Sequence, residues 1–184
     1  MHWLNEPPVW QRSERQIQVR TAPDTDFWRI THYDFIRDTG HFYHEAIATD
    51  FCATVTFRGQ YTDQYDQAGL MVRLDANHWI KTGIEYVDGQ QNLSAVVTRE
   101  FSDWSVVPLA TPPTTVTLQL ERRQTAIHLR YALDGASAYT LLRLAYFPAP
   151  PTPLQVGIMC ASPQGQGFAV VFEDYQVQPL TAIG

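Results

Sequence analysis

Three consecutive β-strands are predicted by the stretch Gln67-Ala-Gly-Leu-Met-Val-Arg-Leu-Asp-Ala-Asn-His-Trp-Ile-Lys-Thr-Gly-Ile-Glu-Tyr-Val-Asp-Gly-Gln-Gln-Asn-Leu-Ser-Ala-Val-Val-Thr-Arg99. Two alternating runs flank Asp75-Ala-Asn-His78, and a third follows Asp88-Gly89, a dipeptide typical of tight hairpin turns. The polar positions hold Arg73, Glu85 and Lys81, the only lysine of the chain. This stretch therefore predicts an antiparallel sheet with one polar face.

The same alternation of apolar and polar residues continues outside this stretch. It is clearest in 49–58, 115–122 and 126–133, and no segment has the apolar spacing of a capped helix. We expect about twelve short strands, which favour a two-sheet antiparallel β-sandwich. A barrel of that size is less favoured, because its wide lumen would need more polar strand positions than the sequence has. One domain is expected over residues 1–184, with its core at about 20–178.

Composition excludes several classes of protein. A net charge of −6 opposes binding to nucleic acid, and no run of about 18 apolar residues predicts a membrane span. The N-terminus lacks the pattern of a secretory signal, so a cytoplasmic protein is expected. Cys52 and Cys160 lack metal-ligand spacing and are predicted to be a reduced, buried pair.

Several segments resemble the concanavalin-A-like lectin/glucanase superfamily. They are Gly69-Leu-Met-Val-Arg73, Trp79-Ile-Lys-Thr-Gly-Ile-Glu85, Ser94-Ala-Val-Val-Thr98, Ser102-Asp-Trp-Ser105 and Val156-Gly-Ile-Met-Cys-Ala-Ser-Pro-Gln-Gly165. Within the superfamily, they are most similar to a branch of small uncharacterised domains that includes the regulation-of-enolase protein. This resemblance covers about residues 20–178 and implies a jelly-roll sandwich with one concave face. The Glu-x-Asp-x-x-Glu constellation of the glucanases is missing, since Glu85 is followed by Tyr-Val-Asp.

Strand alternation places Trp79, Lys81 and Glu85 on one face. If the turn pairs Asp88 with Gln91, then Lys81, Gly83 and Glu85 lie opposite Thr98, Val96 and Ser94. Arg73 joins the same face only if the connection at 75–78 closes a loop with an odd number of residues, because an even number would reverse the faces.

This face is a candidate surface for a saccharide or a small polar metabolite, as in a lectin-like domain. A tryptophan ring can lie against a pyranose, and charged groups can bind hydroxyls. The alternative is a solvated outer face on which Lys81 and Glu85 simply pair. The candidate ligand-binding residues are Arg73, Trp79, Lys81, Glu85, Thr98, Trp104, His44 and Tyr65.

Catalysis and metal binding give further candidates. Glu85 could act with Asp103 as the two carboxyl groups of a glycosidase, or with Lys81 as an acid and base in lyase or isomerase chemistry. A transition-metal site is not expected, because His41 and His44 fall on opposite faces of a strand. Asp24 and Asp174 are candidate calcium ligands.

Three functions remain open from the sequence. The first is a binding domain for a saccharide or polar metabolite, and the second is a carbohydrate-active enzyme. The third is a regulatory module that binds a protein partner. Aromatic residues Phe27, Trp28 and Tyr33 are predicted to pack in the core rather than to contact a ligand.

Overall fold

A computed structural model describes residues 1–148, 150 and 152–181. Within them no helix is assigned, and the strands are numbered β1 to β16 in chain order. They are β1 His2–Leu4, β2 Val9–Arg12, β3 Gln16–Arg20, β4 Phe27–Arg29, β5 Ile36–Asp38, β6 His41–Ile47, β7 Phe51–Gly59, β8 Gln67–Arg73, β9 His78–Val87, β10 Gln90–Arg99, β11 Phe101–Pro108, β12 Val116–Arg123, β13 Ala126–Leu133, β14 Thr140–Tyr146, β15 Leu154–Ala161 and β16 Ala169–Pro179.

Two antiparallel sheets of seven strands form a sandwich, as the sequence predicts. Sheet A has the order β1-β6-β15-β8-β9-β10-β11, and sheet B has the order β14-β13-β12-β7-β16-β3-β2. A small third pair, β4-β5, lies outside both. More strands are present than the twelve expected, partly because β1 and β2 pair with the sheets ahead of residue 20. None of the described segments is a helix able to cross a membrane.

The main core lies between the sheets and follows the period of two in the sequence. In β7, Phe51, Ala53, Val55 and Phe57 are buried, while the alternate positions are partly or fully exposed. Sheet A differs, because β8 is buried at every position. Its second face therefore also packs against protein, and the β4-β5 hairpin contributes to that layer.

The β9-β10 hairpin keeps the predicted faces but not the predicted register. Its turn contains only Asp88 and Gly89, both with positive φ, and Val87 pairs with Gln90. Lys81 consequently lies opposite Val96, and Thr98 lies opposite Trp79. The expected pairing of Lys81 with Thr98 is wrong by two residues, an even shift that leaves every side chain on its predicted face.

The β8-β9 connection satisfies the condition set for Arg73. The N–H of Leu74 donates to the carbonyl of His78 at 3.0 Å, which leaves three residues, 75–77, in the loop. Asp75 Oδ1 accepts the N–H of Asn77 at 2.8 Å and of His78 at 2.9 Å, and so holds the turn. Because the loop contains an odd number of residues, Arg73 pairs with Trp79 and shares its face.

The two cysteines are both free, and only one is fully buried. Cys160 lies in the core between the sheets, while Cys52 is half-buried. The expectation of a buried pair is therefore met by Cys160 alone.

Candidate ligand pocket

The polar face of sheet A is partly covered by the β4-β5 hairpin. Phe27 lies over Trp79 with ring centroids 6.1 Å apart, and both side chains are fully buried. The N–H of Arg29 donates to Ser102 Oγ of β11 at 2.9 Å, which fixes the hairpin at the edge of the sheet. This layer turns part of the predicted open face into a second apolar core, which also contains Phe42, Met71, Val96 and Met159.

The connection between β4 and β5 holds a strained backbone. Ile30, His32 and Asp34 have φ values of 63°, 68° and 55°, in the left-handed region that β-branched residues rarely occupy. The N–H of Ile30 donates to the carbonyl of Phe35 at 2.7 Å, and Trp28 Nε1 donates to the carbonyl of Thr31 at 3.0 Å. These contacts hold the connection in place beside the uncovered part of sheet A.

A pocket of about 140 Å³ remains between the hairpin and sheet A. Its floor comes from the central strands and its walls from the hairpin, β11 and two loops. The lining residues are Asp26, Trp28, Tyr33, Phe35, Arg37, Tyr65, Gln67, Lys81, Glu85, Trp104, Pro163 and Gln164.

Lys81 lies on the floor of the pocket, 3% exposed. Its Nζ donates to the carbonyl of Phe27 at 2.7 Å and lies 3.3 Å from Oδ1 of Asp26. Gln67 Nε2 donates weakly to the same carboxylate oxygen at 3.4 Å. The only lysine of the chain therefore ties the start of the hairpin to the centre of sheet A.

Glu85 is the second buried charged residue of the floor, 6% exposed. Its Oε2 accepts hydrogen bonds from Ser94 Oγ at 2.7 Å and from Trp104 Nε1 at 2.8 Å. Its Oε1 accepts no hydrogen bond from the described residues. This atom is also not fully enclosed by them. One oxygen of the carboxyl group is thus held, and the other is available to the pocket.

Burial raises the pKa of the Glu85 carboxyl above its ordinary range, and the nearby Asp26 adds to the rise. The charge of Lys81 and the hydrogen bonds from Ser94 and Trp104 act in the opposite direction without cancelling the effect of burial. Lys81 and Glu85 do not form an ion pair, and the alternative of a solvated outer face is wrong because both side chains are buried.

Aromatic rings form the rim of the pocket. The hydroxyls of Tyr33 and Tyr65 lie 3.2 Å apart, and this contact together with burial raises the pKa of Tyr33 to about 12. Tyr65 meets Trp104 edge-on at 6.3 Å, and Tyr33 stacks on Phe35 at 5.5 Å. Phe27 is buried as predicted. Trp28 is also buried but lines the pocket, and Tyr33 is 41% exposed and belongs to the rim, so for these two the expectation of core packing alone is wrong.

Several residues chosen from the sequence lie on the correct face but outside the pocket. Trp79 is 1% exposed beneath Phe27 and cannot stack against a sugar. Arg73 forms a two-pronged ion pair with Asp38, at 2.7 and 2.8 Å, and Thr98 bonds to Ser102 at 2.9 Å. The ring of His44 is enclosed, and burial with the charges of His2 and Arg73 lowers its pKa to about 4.

Asp103 is not a partner for Glu85. It precedes Trp104 in β11, so the two side chains point to opposite faces, and its carboxylate instead lies 3.4 Å from Nη2 of Arg143 in β14. The proposed pair of catalytic carboxyl groups is therefore wrong. Asp26 occupies the place beside Glu85 that was expected for Asp103.

The weak calcium candidates are also apart from any cluster of ligands. Asp174 pairs with Arg15 at 2.7 Å, and the described residues contain no group of three or more His, Cys, Asp or Glu side chains able to hold a metal ion. Asp24 contributes its carbonyl, which accepts from Arg37 Nη1 at 3.3 Å.

The sequence predicts four of the pocket residues, Lys81, Glu85, Tyr65 and Trp104. It does not predict the contribution of the β4-β5 hairpin. Asp26, Trp28 and Tyr33 come from a segment more than 40 positions before Lys81. The density of aromatic residues after Asp26 was a visible signal, although nothing in it specified which sheet face it would cover.

Residues 3–180 match the family described as "Protein of unknown function (DUF1349)". The chain belongs to this family. The "Regulation of enolase protein 1" of Saccharomyces cerevisiae is 37% identical over 175 residues, which cover 95% of this chain and 87% of the yeast protein. A crystal structure of a functionally unknown yeast protein superposes with a TM-score of 0.93 at 35% identity, covering 98% of this chain and 97% of that one.

The sandwich also occurs in larger enzymes. A xylan β-1,4-xylosidase from Bacillus halodurans superposes with a TM-score of 0.70 at 13% identity. The match covers 89% of the DUF1349 chain but only 32% of the xylosidase. At this identity the likeness concerns the fold alone.

Proposed function

We propose that this DUF1349 protein binds a small, neutral, polyhydroxylated ligand, such as one ring of a saccharide, in the pocket beside the β4-β5 hairpin. The observation that carries the proposal is the buried Glu85 carboxyl, which keeps Oε1 without a partner among the described residues. A hydroxyl group that donates to this oxygen would satisfy it. The aromatic rim supplies apolar surface for the C–H groups of the same ligand.

The balance of charge around the pocket supports a neutral ligand. Two acidic residues, Asp26 and Glu85, are offset by two basic residues, Lys81 and Arg37. Asp26 and Lys81 already neutralise each other at 3.3 Å. An ionic ligand would leave one charge of this set without compensation in a partly buried site.

The test is calorimetric titration of wild type and Glu85→Gln with glucose, xylose and their short oligosaccharides. Glutamine has nearly the shape of glutamate and can keep an oxygen toward Ser94 and Trp104, which turns an NH₂ group toward the pocket. We expect weakened binding in Glu85→Gln and unchanged binding in the matched control Glu121→Gln, which lies on sheet B. Failure of the wild type to bind any of these sugars would refute the proposal.

A catalytic role is the second candidate, and the raised pKa of Glu85 favours it. A carboxyl group with a raised pKa keeps its proton to higher pH, which suits a general acid that donates to a departing oxygen in a cleft. If the protein is an enzyme, product should accumulate with wild type and not with Glu85→Gln, while Glu85→Gln still binds substrate.

A regulatory role through a protein partner is the third candidate, favoured by the name of the 37% identical yeast relative. Exposed apolar side chains beside the pocket, among them Phe35 and Ile36 of the hairpin, offer a contact surface. Purification with a stoichiometric protein partner, unaffected by Glu85→Gln but lost in Ile36→Asp, would support this role over ligand binding.

A further inference from the structure

A second depression lies directly beside the pocket, at the edge of sheet A. Its volume is about 630 Å³, and it shares Trp28, Tyr33 and Trp104 with the pocket. The residues that line only the second depression are Thr31, His32, Phe101, Ser102 and Asp103. Since three side chains belong to both, a ligand that fills the pocket and crosses this shared rim enters the second depression.

The second depression follows the outer edge of β11. Phe101 and Asp103 point to the opposite face of the strand from Ser102 and Trp104, so a depression lined by all four passes around the edge of the sheet. β11 is the last strand of sheet A, and no strand among the described residues pairs with its outer side. The depression is therefore open along the strand and can accommodate an extended ligand.

Its walls offer the two kinds of contact that a sugar ring needs. Phe101 is 59% exposed and offers an apolar ring surface. The Asp103 carboxylate is also exposed and is held by Arg143 at 3.4 Å, so it has acceptor capacity left for a hydroxyl group. His32 of the hairpin packs edge-on against Tyr33 at 4.7 Å and also lines the depression.

We infer that the ligand of this protein is a chain of at least two sugar units, with one unit in the pocket and the next against Phe101. This inference rests on the proposed function, because the first unit is the one bound at Glu85. It specifies the ligand as an oligosaccharide, because a single-ring metabolite would leave the second depression unused.

The experiment compares ligands of increasing length by calorimetric titration. Wild type, Phe101→Ala and Val107→Ala are titrated with xylose, xylobiose and xylotetraose, and with glucose, cellobiose and cellotetraose. Val107 is the matched control, because it is an exposed apolar residue of the same strand and lines neither depression.

In one of the two series, the wild type should bind the two-unit and longer sugars about tenfold more tightly than the single sugar, as expected for an added aromatic contact. Phe101→Ala should remove that gain and leave binding of the single sugar unchanged, while Val107→Ala should retain the gain.

Two results would overturn the inference while the proposed function stands. They are equal affinity of wild type for one and several units, and equal effects of Phe101→Ala and Val107→Ala. If no sugar of any length binds to wild type, the proposed function fails and the inference fails with it.

Discussion

Lys81 Nζ lies 3.3 Å from Oδ1 of Asp26, and this ion pair is buried at both ends. It joins strand β9 of the sheet to the first residues of the hairpin that covers it. The position of the hairpin, and with it the wall of the pocket, therefore depends on a charge pair removed from water.

Lys81→Met should lower the free energy of unfolding by about 3 kcal/mol, because it leaves a buried carboxylate without its counter-charge. Combining it with Asp26→Asn should recover part of the loss, since both charges are then absent. Unfolding in urea measures each value. Arg15→Met is the control, because the ion pair of Arg15 with Asp174 is exposed and its loss should cause no measurable change. Equal effects of Lys81→Met and Arg15→Met would contradict the structural role of the buried pair.

Glu85 should make stability fall as the pH rises. Its pKa is raised in the folded state above the ordinary value of 4.5, so the folded protein binds more protons than the unfolded chain between the two values. In that window the unfolding free energy decreases with increasing pH. Glu85→Gln should remove this part of the pH dependence, as seen in urea unfolding at a series of pH values.

Glu121 should have the opposite effect on the pH dependence of stability, and Glu121→Gln tests it. Hydrogen bonds from Arg123 and Arg130 lower the pKa of Glu121 although its own burial acts against them. Glu121 therefore contributes stability above its ordinary pKa of 4.5, and that contribution is lost as the pH falls through the folded value. If both variants change the pH profile in the same direction, the environment of Glu85 described above is incorrect.

Gly83→Ala should destabilise the sheet by about 1–3 kcal/mol through overpacking. An added Cβ at Gly83 would lie 1.9 Å from the carbonyl oxygen of Ala68 in the paired strand, and that backbone cannot move without disturbing the ladder. At Gly165 the obstacle is Asp63, whose Cβ would lie 2.6 Å away, and both residues are in loops, so relieving the contact does not disturb a ladder. Thermal unfolding should consequently show a larger loss for Gly83→Ala than for Gly165→Ala, and the reverse order would contradict the close approach of β8 and β9.

Ile30→Gly should raise the free energy of unfolding by about 1 kcal/mol, because it relieves a left-handed conformation that is costly for a β-branched residue. The φ of Ile30 is 63°. Ile36→Gly, in β5 of the same hairpin, should instead lower stability, since glycine weakens an ordinary strand. A loss of stability in Ile30→Gly as large as that in Ile36→Gly would argue against strain in the connection.

The period of two in the sequence was sufficient for the sandwich and for the faces of its central strands. Trp79, Lys81 and Glu85 share one face with Ser94 and Thr98 in the structure, as alternation predicts. Alternation did not determine which residues of β9 pair with which residues of β10. A two-residue turn at Asp88 and Gly89 and a two-residue turn at Gly89 and Gln90 both keep the faces, and the positive φ of Asp88 and Gly89 selects the first.

Tertiary structure decided which residues of that face can meet a ligand. The sequence of β9 is equally consistent with an exposed Trp79 and with a buried one, since either needs the same alternation. The Asp26–Asp38 segment, distant in sequence, buries Trp79 and Arg73 and leaves Glu85 at a pocket. Alternation along a strand is a local property that the sequence determines, whereas the covering of a sheet face depends on contacts between distant segments that no local pattern records.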